Sequence, residues 1–599
     1  MQPLASTQSG NTSNLATFGG ISPVGRCLII NHDVRADAHI TVGDSSDQTA
    51  VYVSDAGSFV VNSGVQFTYR GNIHYDGPIT LGEGVTFTAD PTQAPNPSAY
   101  EILLRPTKDF PRASFFSILG TSANPTTLRT LRTNGNEVRA RFTLAGHAGM
   151  MGWFDLQNYI MEDMGGLEFW DKFVSHNAVH IRCGPVKQLS NLSASMPVSL
   201  KNHRCKDSIG PYNVKFNSTS DRGADGVREM ISCYFDKGIG REGWESCSVH
   251  GFTVRDVVAA GDSDMYGVAD TWDRTVIVKT GGATRMQHAV SNTFVASGRD
   301  FNPHYLQIAE STPNNAVFEG LIFEHISSNP SGDGDGFIIP DNGPTSFYSL
   351  RNTLALPNAN GSSSGTIAST VAHANPARFE VLHPTFWGGP SFDHGLYFGE
   401  GATQPSGTVP TFKSACYYDT QVRGNHLITE AIPGQPDNIV DPAGCTHNNA
   451  WNAYATTAFP GKSSQGTPYG ISMSGATPGA NDKNVDPQYV DPSRNFAKYA
   501  TQHGRTASVD NTLAALFEDP TRIGSLLAWV RDGFRPQNEA LRGAGHDGKD
   551  IGAVPMATVV VTSPPPVVVP TPAPSASPAA KKYRLRAALD IIVTLEPVE

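Results

Sequence analysis

From Leu28 to about Asp90, apolar residues alternate with polar ones in short bursts: Ile40/Val42, Val51/Val53, Phe59/Val61, Val65/Phe67/Tyr69, Ile73/Tyr75, Ile79/Leu81 and Val85/Phe87. A period of two marks strands buried on one face. Gly43, Gly57, Gly64, Gly71, Gly77, Gly82 and Gly84 separate most of them and permit sharp turns. Periodicity leaves two arrangements open here, a solenoid-like stack or a small sandwich. Residues 91–140 read as a long β excursion with strands at 100–104 and 113–119, and residues 153–173 as a helix or irregular connection.

The strand pattern then resumes at 231–235, 248–254, 275–278, 292–295, 316–323, 336–339, 347–356, 378–382 and 396–398. Each of these strands is too short to bury its apolar face alone, and stacking of successive units supplies the missing partner. Alternation breaks at Gly320, between Phe318 and Leu321, as a corner between two sheets requires. Spacing between units varies, so any repeat is degenerate.

The texture changes at residue 486. Asp491-Pro492 and Asp519-Pro520 each place a capping Asp before a Pro at the first helical position, and Ile523, Leu526, Leu527 and Val530 follow helical spacing. These helices are expected to cover the open end of the strand stack. Residues 557–580 form a Pro-rich, semi-rigid linker. Residues 581–599 read either as a disordered end or as a docking tail that adds an edge strand to a partner through Leu589, Ile591, Ile592, Val593 and Leu595. The first 27 residues, rich in Ser, Thr, Asn and Gly, read as an arm. The expected architecture is all-β: arm 1–27, β-rich N-terminal domain 28–140, parallel β-helix 141–485, small helical C-terminal cap 486–556, linker and tail.

Composition agrees with a turn-rich β protein: 599 residues contain 59 Gly, 42 Pro and only 17% charged side chains. A net charge of −11 argues against a broad basic surface for nucleic acid. No apolar run approaches the roughly 20 residues that span a bilayer, so no membrane insertion is expected. The seven cysteines are scattered without a Cys-x-x-Cys pair, and we expect free, buried thiols rather than a zinc module.

The segment Trp529-Val530-Arg531-Asp532-Gly533-Phe534-Arg535-Pro536, continuing to Gly552-Ala553-Val554, resembles the closing segment of right-handed parallel β-helix proteins of the pectate-lyase-like superfamily, of the bacteriophage tailspike and tail-fibre type. The likeness is specific over residues 485–556 and one of texture over 30–480. It implies three parallel sheets wound into a right-handed helix. It also implies a virion structural protein that contacts host surface polysaccharide, assembles as a homotrimer and binds other virion proteins. The opening Met1-Gln2-Pro3-Leu4 carries no secretory signal, as expected of a virion protein assembled in host cytoplasm. The fold does not imply a reaction. The alternative is a polysaccharide lyase or glycoside hydrolase on the same scaffold. The short arm and proline leash depart from the usual tailspike plan and leave the attachment end open.

Stacked strands lie about 4.8 Å apart, which brings carboxylates on neighbouring or next-but-one strands towards glycosidase separations of about 5–9.5 Å. The candidates are Asp262, Asp264, Asp270, Asp273, Glu319, Glu324, Asp333 and Asp335, with Trp272 or Trp387 as a sugar platform. The competing reading is that Asp and Gly simply build corners. Calcium at Asp333/Asp335 is the one ion suggested, although the Glu that completes an EF-hand loop is missing; no other cofactor is expected. For a lyase base, Arg285, Arg299, Lys279 and His304 are available, and nothing in their spacing selects one. The Gly361-Ser362-Ser363-Ser364-Gly365 match to a nucleophile elbow lacks the strand-to-helix setting and reads as a turn. Tyr417, Tyr418, Trp451 and Tyr454, near His426 and His447, are either a glycan strip or core anchors, and we favour anchors.

Overall fold

A computed structural model describes residues 4–5, 28–43, 49–93, 100–104, 115–132, 138–144, 153–169, 172–188, 197–210, 212–217, 227–242, 252–261, 271–279, 285–286, 289–297, 307–308, 315–325, 347–356, 367–369, 378–387, 396–398, 411–413, 416–418, 445–451, 481, 483, 485–557, 583–587 and 593–597. Residues 1–556 form one compact unit and residues 557–599 another.

The alternating segments form two large parallel sheets. In the first, Val51 lies opposite Leu28 and Ile73, Ile73 opposite Ile102, and Ile102 opposite Phe142, so the pairing runs unbroken across residue 140. Leu4 of the expected arm pairs with Leu28 in the same sheet. The second sheet runs from Val34–Ala36 to Asn449–Trp451. Among the described residues of the first unit every ladder is parallel, so residues 28–140 stack rather than form an antiparallel sandwich. The presumed excursion is part of the stack: Glu101–Leu104 and Phe115–Leu119 each pair on both sides. The described residues of 153–173 contain no helix. They hold Trp153–Glu162 and Leu167–Phe169 and enter Phe173–Ile181, because Phe154, Leu156, Tyr159 and Met161 bury alternately against the core.

Inward side chains stack strand on strand. Phe67 lies parallel to Phe87 at 5.2 Å between ring centroids, and Phe116, Phe142 and Phe154 meet edge to face at 4.9 and 5.7 Å. From Trp153 onward, successive layers of the second sheet turn at a residue in the left-handed region: Asn158, Asn177, Asn202, Ser232, Asp256, Arg274, Asn292, Gly320, Asn352 and His383 follow one another in register. The side-chain amide of Asn202 donates to Asn177 at 3.0 Å, that of Asn177 to Asn158 at 3.0 Å, and that of Asn158 to the Gly120 carbonyl at 2.9 Å.

The helical segment packs along the flank of the second sheet. Asp519 caps the turn at Pro520 by accepting from the Thr521 N–H at 3.0 Å, and helix α2 (Ile523–Gly533) follows. Asp491 instead makes a local turn with Ser493, and a 3₁₀ helix begins only at Ala497–His503. Helix α1 (Val509–Glu518), capped by Ser508, lies between them. The buried face of α2 (Ile523, Leu526, Leu527, Val530) packs with Phe496, Tyr499 and Leu516 against Val258, Val276, Phe294, Ile322 and Leu354. These strand residues follow the corner and face outward, so the helices cover the flank of the sheet. The last strand is extended by the Asn449–Lys483 bridge, and the Asn449 side chain holds both the N–H and the C=O of Val485 at 2.9 Å.

Gly320 has φ +69°, and an added Cβ would lie 2.9 Å from Asn292 Oδ1 and 3.0 Å from Arg531 Nη2. Gly64 has φ +71° with open space around it. Gly64→Ala is expected to cost about 1–2 kcal/mol, the left-handed penalty alone. Gly320→Ala should cost more and should also speed proteolysis within residues 486–556. Urea unfolding of both variants is the measurement, and equal costs would show that the Arg531 contact carries no weight.

Candidate functional site

The residue before each corner points outward. Gln157, His176, Lys201, Ile231, Arg255, Asp273, Ser291, Glu319 and Arg351 therefore form one column down the outer face. Asp273 and Glu319 stand two strands apart in it, with Ser291 between them. Their backbones are therefore about 9.6 Å apart, at the upper end of the inverting-glycosidase range of about 6.5–9.5 Å. Asp273 accepts from Ser291 Oγ at 3.1 Å and from Asn292 Nδ2 at 3.0 Å; Glu319 accepts from Asn352 Nδ2. Arg351 lies directly beyond Glu319 and donates to Ser349 Oγ at 2.9 Å. Among the described carboxylate candidates, Asp273 and Glu319 share an outer face, whereas Glu324 does not.

A second polar cluster lies further up the same face, and it was missed because its members come from separate strands. His176 Nε2 is 2.9 Å from Ser199 Oγ, which donates to Glu229 Oε1 at 2.7 Å; Lys201 Nζ meets Glu229 at 2.8 Å and Lys172 meets Asp155 at 3.3 Å. Burial pushes the Glu229 carboxyl up, but the hydrogen bonds from Lys201 and Ser199 bring it below its ordinary value. Burial and Lys201 push the His176 imidazole down. The serine proton is committed to the carboxylate, and no acid orients the histidine, so the order differs from a nucleophilic triad. Asp155 and Glu229 are three strands apart, about 14 Å, too far to act as a pair. The visible signal was a set of polar residues at the outward positions of alternating strands.

Other candidates land elsewhere. Trp272 is 1% exposed inside the core and presents no ring face to a sugar. Trp387 packs against Tyr489 and Phe534, each at 5.8 Å, and anchors the helical segment. Glu324 is buried beneath that segment, where it accepts the Phe496 N–H at 2.8 Å, and so is no surface acid. Asp262, Asp264, Asp270, Asp333 and Asp335 lie outside the described residues, as do Arg299, His304, residues 361–365, His426 and Tyr454. Lys279, Arg285, Tyr417, Tyr418 and Trp451 fall within strands. Leu589, Ile591 and Ile592 are also outside, whereas Val593 and Leu595 belong to Val593–Pro597, which pairs antiparallel with Tyr583–Ala587. Cys183, Cys205 and Cys233 are buried free thiols; burial pushes those of Cys183 and Cys233 up to about 12.

Among the described residues, two groups have the residue types to hold a metal ion: His180/His203/Cys205 in the core, and His383/His546/Asp547 where the C-terminal segment meets a corner. In the second, His383 Nδ1 is 3.0 Å from the Asp550 carbonyl oxygen and its Nε2 is 3.2 Å from Asp547. Lys549 sits 2.9 Å from the same carboxylate. Both ring nitrogens of His383 thus have partners within the protein, which makes it a clip between the corner and the C-terminal segment.

Comparison of the chain with known protein families, with curated proteins and with solved structures returns no match.

Burial holds the Glu324 carboxyl up at about 7, against an ordinary value of 4.5. The folded protein keeps a proton that the unfolded chain releases in that interval, so this group favours folding less and less as pH rises from 4.5 through about 7. Glu324→Gln retains an oxygen for the Phe496 N–H and has no charge to bury. Relative to the parent, the variant should gain stability between pH 5 and pH 8, by at most about 3 kcal/mol. Urea midpoints at the two pH values report this; a pH-independent difference would refute it.

Proposed function

We propose that the chain is a right-handed parallel β-helix whose outer polar column contacts host surface polysaccharide, and that it serves as a surface appendage of a bacteriophage virion. The observation that carries this reading is the column itself. Unbroken parallel register aligns Lys201, Arg255, Asp273, Glu319 and Arg351 along one face. Charged and amide groups repeated about every 4.8 Å suit a linear, hydroxyl-rich polymer better than a compact ligand. The antiparallel pair Tyr583–Ala587 and Val593–Pro597 supports the docking role of the tail, because a two-stranded sheet gains from a further strand. That strand would come from a second copy around a three-fold axis or from a neighbouring virion protein.

Hydrolysis is the second reading, favoured by the two-strand separation of Asp273 and Glu319. In it, one carboxyl protonates the leaving oxygen and the other activates water.

Mass spectrometry of purified particles should find the protein, and capsular or lipopolysaccharide preparations of the host should bind it. Absence from particles together with no binding would overturn the proposal. If new reducing ends appear, Asp273→Asn and Glu319→Gln should each lower their rate by about 10²–10⁴-fold and leave binding in place. Unsaturated uronates would point to a lyase instead.

A further inference from the structure

Tyr159, Ser175, His180 and His203 are buried in the core on three successive strands, Trp153–Glu162, Phe173–Ile181 and Val198–Lys206. Polar groups in such a place need partners. The Tyr159 hydroxyl is 2.9 Å from Ser175 Oγ and 2.9 Å from His180 Nε2, and Ser175 Oγ is 2.8 Å from His203 Nδ1. This chain occupies one nitrogen of each imidazole. His203 Nε2 remains buried without a hydrogen-bond partner, and such a group costs about 1–3 kcal/mol. Cys205 lies directly opposite His180 in the ladder. One nitrogen of each histidine and the Cys205 sulfur lie within 4.8 Å of one another.

We infer that His180, His203 and Cys205 form an interior site for a soft, thiophilic metal ion, copper(I) or zinc(II). Two imidazoles and a thiolate are the ligand types these ions take. An ion about 2.0–2.3 Å from each donor would draw the donor atoms to within about 4 Å of one another, a side-chain adjustment from their present spacing. Ser175 fixes the unpartnered nitrogen as the one available for ligation, by taking the other. Charge favours copper(I): a monovalent ion with one thiolate and two neutral imidazoles leaves no net charge in the core, whereas zinc leaves one positive charge there.

Coordination forms the metal–sulfur bond and releases the Cys205 thiol proton to solvent, with no electron transferred. The cluster is sealed by the strands around it, so the ion enters while they fold.

The full-length protein is to be produced in cells supplied with copper or with zinc, then assayed for metal by mass spectrometry. The proposal expects stoichiometric metal in one arm, which identifies the ion. Cys205→Ala should fall to background, and Cys233→Ala, another buried core thiol outside the cluster, should keep its metal. X-ray absorption at the metal edge of the parent protein should show sulfur and imidazole nitrogen, a readout that does not depend on either variant folding. Metal-free protein in both arms, metal retained by Cys205→Ala, or a ligand shell without sulfur would each overturn the inference and leave a purely hydrogen-bonded core network.

Discussion

From Asn158 to His383 the described layers of the second sheet turn through the same kind of corner, and that corner needs a residue in the left-handed region. For an ordinary side chain this conformation costs about 1–2 kcal/mol, which explains why Asn, Asp and Gly dominate the positions. Two of the exceptions, Arg274 and His383, are held by partners. Arg274 is gripped by both oxygens of Asp256 at 2.8 Å, and His383 by the Asp550 carbonyl and Asp547. The corner also resets the in-and-out pattern. Two adjacent residues face outward, as Asp273 and Arg274 do, while Trp272 and Thr275 both point in. The outer column and the alignment of the core follow from this one backbone requirement.

The corner divides the outer surface into two kinds. Before it, outward positions are mostly polar, Ile231 being an apolar member of the column. After it, from Tyr234 to Leu356, they are apolar except Glu324 and lie under the helical segment. Polar ties fix the cover in place. Arg531 donates to the carbonyls of Asn352 at 3.0 Å and Ala553 at 3.4 Å, its guanidinium pushed down to about 10 by burial. Arg204 donates to the Glu518 carbonyl at 2.7 Å, satisfying the C-terminus of α1.

The strands, the turn at Gly320 and the buried face of α2 were legible because each writes a local period into the sequence. The Gly320 break was one instance of a corner that other strands make with Asn, Asp, Ser, Arg or His, and those residues leave no such mark. The flank position of the helices was written in the runs Val257-Val258-Ala259 and Val276-Ile277-Val278, which are too continuous for a strand wetted on one side. Residues 153–173 misled because their corner at Asn158 interrupts alternation and mimics helical spacing. Of the candidate site, Asp273 and Glu319 were visible only as individual carboxylates. Their shared column depends on register across long, unequal connections, as does the His176–Ser199–Glu229 cluster. Trp272 looked like a sugar platform because an aromatic beside acids reads the same whether it points in or out.

The order of synthesis gives the apolar flank a further meaning. Its strands are complete by Trp387, but the residues that cover them begin near Asp491. At translation rates of about 5–20 residues per second, that interval lasts roughly 5–20 s. Throughout it, a growing chain displays a greasy stripe across several finished strands. Nascent protein is therefore most prone to stick to its siblings late in its own production, when the scaffold is nearly whole and its last quarter has yet to emerge. A ribosome stalled in this stretch would release a folded but adhesive fragment, so chaperone capacity bears on the yield of this protein.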